Sequence, residues 1–317
     1  MVTNLLLLVL GLAGLAVAAD RFVLGAAEVA ARMRVSTVVT GALIIGFGTS
    51  APELVVSSLA TLTEGAEGTS LAMGNIIGSN VANLTLVLAI PVLVVGGIGL
   101  PDRSKRQVAF SAIGVTIFAV LSRFGEPSTW KGIGLAVLAV AALVVIVGLR
   151  DHFGGAPPAD TTEGAGPWIL TVFGLVGTVA FAWLVVRSAT AIADHMGWTG
   201  GFVGFALVAV GTSLPELSTV MAAARRAETG LIMGNLLGSN LFNSLTVGSA
   251  VFLANGSRSF EQSDGLLGWG LLAMVAVSWG IIIPMGTGGR IVRREAVVLL
   301  AVYIGLLVFL AANFATV

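Results

Sequence analysis

Residues 48–54 read G-T-S-A-P-E-L, and residues 211–217 read G-T-S-L-P-E-L. A second pair of motifs follows. Residues 71–80 read L-A-M-G-N-I-I-G-S-N, and residues 231–240 read L-I-M-G-N-L-L-G-S-N. Each of these is followed three positions on by an asparagine, Asn83 and Asn243. Two motifs recurring in the same order form an internal repeat, and a repeat sets the architecture.

The sequence around the motifs is apolar. The chain has 317 residues, 56% of them hydrophobic and 10% charged. Soluble domains carry roughly 25% charged residues, so most of this surface must face something other than water. Ten apolar stretches can be marked, at about 4–19, 35–62, 70–95, 107–122, 131–149, 167–187, 200–224, 229–254, 265–285 and 294–314, near the ~20 residues a bilayer span needs. The first is not preceded by Lys or Arg and reads as a membrane helix rather than a signal peptide. The longest connection, Arg150 to Gly166, leaves five stretches on either side. It divides the chain into residues 1–150 and 151–317.

Segments 2 and 7 carry the first motif and segments 3 and 8 the second. They are five apart, so the copies cross the membrane in opposite directions, as in inverted-repeat transporters. With both termini outside, 12 of the 16 Lys and Arg residues fall in inner connections. That bias sets the expected orientation. The expected fold is therefore an all-α polytopic membrane protein of ten helices, built from two inverted five-helix repeats.

Net charge is zero and basic residues form no long run, which argues against nucleic acid as a partner. Cysteine is absent, and His152 and His195 fall in polar connections. Thiolate sites are excluded, and copper or zinc is disfavoured. An intramembrane metalloprotease, Ser–His protease or aspartyl protease would need His or Asp inside the apolar stretches, so the chain is expected not to be an enzyme. No cofactor and no obligate protein partner are implied.

Ionised side chains in hydrocarbon are costly, yet Glu53 and Glu216 lie deep in segments 2 and 7 at matching places. A protonated, hydrogen-bonded glutamate is the alternative for either one alone. The symmetric pair favours a cation site. Pro52 and Pro215 lack an N–H and obstruct the carbonyls of Gly48 and Gly211 four residues back, which predicts broken helices with freed carbonyls. Thr49, Ser50, Thr212 and Ser213 add hydroxyls, or else back-bond within their helices. Ser79 with Asn83, and Ser239 with Asn243, share a helix face at four-residue spacing. Asn75, Asn80, Asn235 and Asn240 are expected to satisfy backbone groups at the breaks, direct ligation being the alternative.

All these donors are oxygen, which suits hard cations such as Ca²⁺ and Na⁺. One Ca²⁺ neutralises two ionised glutamates. A bare pair is unfavourable in low dielectric, so Na⁺ or H⁺ must replace departing Ca²⁺. Obligatory exchange follows.

At these residues the sequence resembles the cation/Ca²⁺ antiporter superfamily, most closely prokaryotic sodium/calcium exchangers. Both α-repeat motifs, Gly-Thr-Ser-x-Pro-Glu and Gly-Asn-x-x-Gly-Ser, are present. The resemblance implies a core of helices 2, 3, 7 and 8, past which long, tilted helices 1 and 6 slide during alternating access. It implies Glu53 and Glu216 as Ca²⁺ carboxylates, with Asn83 and Asn243 completing the centre. Thr49, Ser50, Ser79, Thr212, Ser213 and Ser239 would serve flanking Na⁺ sites, and Gly46 and Ala209 would offer backbone carbonyls. Some relatives carry Asp where this chain has Asn243. With only two acids the site fits both a sodium and a proton mode. The hydroxyl pairs favour sodium, K⁺ coupling is a further variant, and a passive channel is the rival of another class. The expected location is the cell (plasma) membrane.

Overall fold

The computed structural model describes residues 1–33, 36–100, 104–124, 128–148, 166–195, 211–258, 265–282 and 289–314. They are almost entirely helical. Helix α1 spans Val2–Met33, α2 Thr37–Thr49 and α3 Ala51–Thr63. Next come α4 (Gly68–Val95), α5 (Ser104–Arg123), α6 (Thr129–Gly148) and α7 (Gly166–His195). The chain closes with α8 (Leu214–Arg225), α9 (Thr229–Asn255), α10 (Leu267–Gly280) and α11 (Arg293–Phe314). Among the described residues six helices are long and apolar enough to cross a membrane, or seven if the bent pair α2–α3 counts as one span.

Helix α1 is longer than the apolar pattern predicts. It continues through Asp20 and Arg21 for 32 residues in all. Its C-terminal part packs on protein through Phe22, Val23, Ala26 and Val29, so hydropathy alone ends the helix too early. His195, expected in a connection, is the last residue of α7. Ala209 and the first half of the seventh apolar stretch lie outside the described residues.

Proline and glycine place the breaks. Ser50 leaves the helical region (φ −86°, ψ 6°) immediately before Ala51-Pro52, and α2 and α3 meet at 40°. Ser213 has nearly the same conformation (φ −86°, ψ 3°) before Leu214-Pro215. Gly65, at φ 61°, turns the chain from α3 into α4 in a conformation that L side chains avoid. Four wide helical turns at Gly41–Gly46, Asn83–Val87, Asn243–Val247 and Gly265–Gly270 were not foreshadowed by periodicity. Such turns release backbone groups from the regular ladder.

Helix α2 lies directly against α9. A Cβ on Gly238 would stand 2.5 Å from Ala42 Cα and 2.7 Å from its carbonyl oxygen, and one on Gly41 would stand 2.6 Å from the Leu231 carbonyl. Without a hydrophobic drive between helices in lipid, such small-residue contact is the main source of association. Helices α1 and α7 meet in the same way, Gly174 against the Phe22 backbone and Gly25 against Thr171. Apolar side chains point outward from α1, α6, α7 and α11, for example Leu6, Val140, Phe173 and Val298. The buried polar residues concentrate instead on α2, α3, α4, α8 and α9.

Three contacts join segments distant in sequence. Strand β1 (Gly97–Gly99) pairs antiparallel with β2 (Arg290–Val292), with Ile98 opposite Ile291. Arg226 grips Asp20 of α1 through two nitrogens, the shortest contact being 2.7 Å. Thr69 donates to Asn255 Oδ1 at 2.9 Å.

Gly238→Ala is expected to overpack the α2–α9 seam at about 1–3 kcal/mol. It should lower the thermal unfolding midpoint of the detergent-solubilised protein. Gly280→Ala, which meets nothing within 4 Å, is the control and should leave the midpoint in place.

Candidate cation site

The sequence puts each acid in the first turn of a helix that begins at a break. Glu53 follows Pro52 at the start of α3, and Glu216 follows Pro215 at the start of α8. Proline suits that position because its missing N–H would be unpaired there anyway. The first-turn amides and the helix dipole favour a negative charge at this end. Both carboxyl groups are nonetheless buried, at 1% and 0% exposure.

The two acids come together. Ser50, three residues before Glu53, donates its hydroxyl to Glu216 Oε1 at 2.9 Å across the repeats. That bond joins the start of α3, where Glu53 sits, to the start of α8. Glu216 Oε2 and both oxygens of Glu53 are buried with no hydrogen-bond partner. The Ser79 and Ser213 hydroxyls, Asn83 Oδ1 and the whole Asn243 carboxamide are in the same condition. Each such group costs roughly 1–3 kcal/mol when left unpaired. So many on the matching motifs of two repeats form one deficit that a hard cation on oxygen ligands would relieve.

Thr49, Ser239 and Gly46 also meet. Ser239 donates toward Gly46 O (3.1 Å) and Asn235 Oδ1 (3.3 Å), and Thr49 Oγ1 lies 3.4 Å from each of the same two oxygens. On the mirror side Thr212 donates to Asn75 Oδ1 at 3.2 Å. Asn83 Nδ2 donates to Asn240 Oδ1 at 2.9 Å, and Asn240 Nδ2 to the Asn80 carbonyl at 3.0 Å. Among the described residues no three His, Cys, Asp or Glu side chains gather into a metal cluster. Among the described residues Glu53 and Glu216 are the only fully buried acids, and the buried polar side chains near them are hydroxyls and carboxamides.

Residues 3–148 and 166–312 match the family model described as sodium/calcium exchanger protein. The chain belongs to that family. The sodium/calcium exchanger MaX1 of Methanosarcina acetivorans is 30% identical, over 97% of this chain and 98% of its own. The inner membrane protein YrbG of Escherichia coli is 31% identical over 76% of this chain and 77% of its own. Among solved structures, the sodium-calcium exchanger NCX_Mj soaked with 2.5 mM Na⁺ and 0.1 mM Ca²⁺ gives a TM-score of 0.82 at 27% identity, covering 99% of both chains. Membership in a transporter family agrees with the absence of protease chemistry read from the sequence.

In this exchanger-family chain the polar network extends beyond the motif residues. Asn75 Nδ2 donates to Ser57 Oγ at 3.0 Å, and Asn235 Nδ2 to Thr219 Oγ1 at 2.9 Å. Asn80 Nδ2 donates to Ser244 Oγ at 2.9 Å. The asparagines thus bind mostly side chains rather than the freed backbone groups expected of them, Asn240 being the exception. Aligning the repeats could not find Ser57 and Thr219 as a pair. It sets Ser57 opposite Val220 and Thr219 opposite Val56. Their one-residue offset is visible only in three dimensions.

Ser50→Ala removes the hydroxyl that donates to Glu216 Oε1. It should raise the half-saturating Ca²⁺ concentration about fivefold to tenfold, the factor for one lost hydrogen bond, in a protein that still folds. Ca²⁺-dependent thermal stabilisation measures it.

Proposed function

We propose that this protein is a secondary antiporter that exchanges Ca²⁺ for Na⁺ by alternating access, with Glu53 and Glu216 holding Ca²⁺ at the centre. The observation that carries this reading is the pair of buried carboxyl groups on bridged helix starts, three of whose four oxygens lack a partner. Two carboxylates and one Ca²⁺ make a neutral unit able to sit in low dielectric. When Ca²⁺ leaves, the residual charge has to be compensated, and Na⁺ on the same oxygen donors does so. Family membership and the likeness to MaX1 and NCX_Mj support that choice of ions.

Asn83 and Asn243 complete the central site in this reading. Thr49, Ser50, Ser79, Thr212, Ser213 and Ser239, with the carbonyls of Gly46 and Ala209, serve flanking Na⁺. The chain crosses the plasma membrane ten times as two inverted five-helix halves, residues 1–150 and 151–317, with both termini outside. The three long-range contacts agree with this layout. It puts Gly97–Gly99 and Arg290–Val292 on the inner side, as it does Asp20 and Arg226, and Thr69 and Asn255 both on the outer side.

Vesicles loaded with Na⁺ and diluted into Na⁺-free buffer containing ⁴⁵Ca²⁺ should accumulate the tracer. Uptake indifferent to the Na⁺ gradient but driven by a pH step would replace sodium with proton coupling. Uptake driven by the Ca²⁺ gradient alone would make the protein a channel. Glu53→Gln and Glu216→Gln should each abolish uptake while leaving folded protein in the membrane, and near-normal flux in either would sink the site assignment.

A further inference from the structure

Four oxygens beside Glu216 form a closed ring: Thr49 Oγ1, Gly46 O, Ser239 Oγ and Asn235 Oδ1. Its edges, taken in that order, measure 3.4, 3.1, 3.3 and 3.4 Å. Only the two hydroxyls bring protons, so at most two of the four edges can be hydrogen bonds. Thr49 has a further acceptor in Ile45 O at 3.0 Å, which competes for its proton. On at least two edges, therefore, lone pairs face lone pairs. Oxygens bound at right angles to one hard cation at about 2.3–2.6 Å stand about 3.3–3.7 Å apart, close to these edges. None of the four is a carboxylate. A ring of neutral dipoles suits a monovalent cation better than a divalent one, whose tighter hydration needs charged ligands to displace it.

Asn235 belongs to this ring only if its oxygen, not its nitrogen, faces inward. A carboxamide can be turned either way, and its neighbours decide. Here Thr219 decides. Its hydroxyl lies 2.9 Å from the Pro215 carbonyl and 3.0 Å from the Glu216 carbonyl. Both are acceptors, so the Thr219 proton is spent on α8 and its oxygen must accept from Asn235 Nδ2. The nitrogen is thereby held outward and the oxygen inward. All of these groups are buried, so water does not substitute for the bond.

We infer that Asn235 and Thr219 are determinants of monovalent-cation affinity. Asn235 contributes its amide oxygen to the ring with Thr49, Gly46 and Ser239, and Thr219 is the positioning residue that keeps that oxygen turned inward. The inference rests on the sodium-coupled reading above. It differs from the motif reading in giving Asn235 a part in the cation site, and in assigning a role to Thr219, which no motif contains.

The test compares Thr219→Val with Thr219→Ser in the full-length protein reconstituted in vesicles, reading Na⁺ and Ca²⁺ half-saturation separately. The valine variant keeps the shape and loses the acceptor. It should raise the half-saturating Na⁺ concentration about fivefold to tenfold and move that of Ca²⁺ less than twofold. The serine variant, which retains the hydroxyl, should restore the Na⁺ value. Thr219→Ala carries the same expectation should the valine variant fail to fold. A merely structural role would shift both ions together and spoil folding, and that result overturns the inference. So does a serine variant as impaired as the valine one, or an unchanged Na⁺ value. If the unmodified protein shows no Na⁺-driven Ca²⁺ uptake, the sodium reading itself fails, independently of Thr219.

Discussion

Two carboxyl groups buried at bridged helix starts, in a protein interior surrounded by lipid, each lack the water that would stabilise a charge. Much of the arrangement around Glu53 and Glu216 is intelligible as a response to that constraint. The prolines start new helices just before each acid, so helix N-termini and their amides face the negative charge. Ser50 reaches across the repeats to one oxygen of Glu216. The remaining oxygens stay unpaired. In a folded protein so many unpaired groups in one place are better explained by a transported ligand than by a lapse of packing.

The glycines of the second motif serve the same end by a different route. Broken helices in hydrocarbon would collapse or expose backbone unless another helix lies close against them. Gly234 and Gly238 of α9 let α2 approach to backbone contact. That closeness brings Gly46 within reach of Ser239, and Thr49 within reach of Asn235. A side chain at either glycine would separate the oxygen donors as well as the helices. Packing and cation chemistry are therefore a single requirement in this core.

The helices also sort into two groups by what they pack on. Helices α1 and α7 pack on each other along their length through small residues, while the polar core is formed by α2–α4, α8 and α9. The bidentate Arg226–Asp20 pair ties α1 to the connection between α8 and α9. It is partly exposed, and such pairs are individually weak. That is the strength expected of a contact that can break and reform if the two units move past one another.

Much of this was legible in the residues themselves. The repeat, the breaks at Pro52 and Pro215, the paired acids and the all-oxygen donor set follow from local chemistry and spacing, because proline, glycine and a charge in an apolar run each have one dominant physical consequence. Helix ends were less legible. Helix α1 runs on past Asp20 because protein, rather than lipid, covers its inner part, and hydropathy cannot tell the two apart. The short β1–β2 ribbon was invisible for a different reason, since it pairs segments distant in sequence. The network around the acids was decided by tertiary structure alone. The sequence offers four motif asparagines with equal claims. Only the folded core shows Asn235 between Thr49, Ser239 and Thr219, through bonds that span up to 186 positions along the chain. Spacing along one helix fixes which face a residue occupies. Which oxygen meets which depends on how two inverted helices cross, and that is set by backbone contact at Gly234 and Gly238.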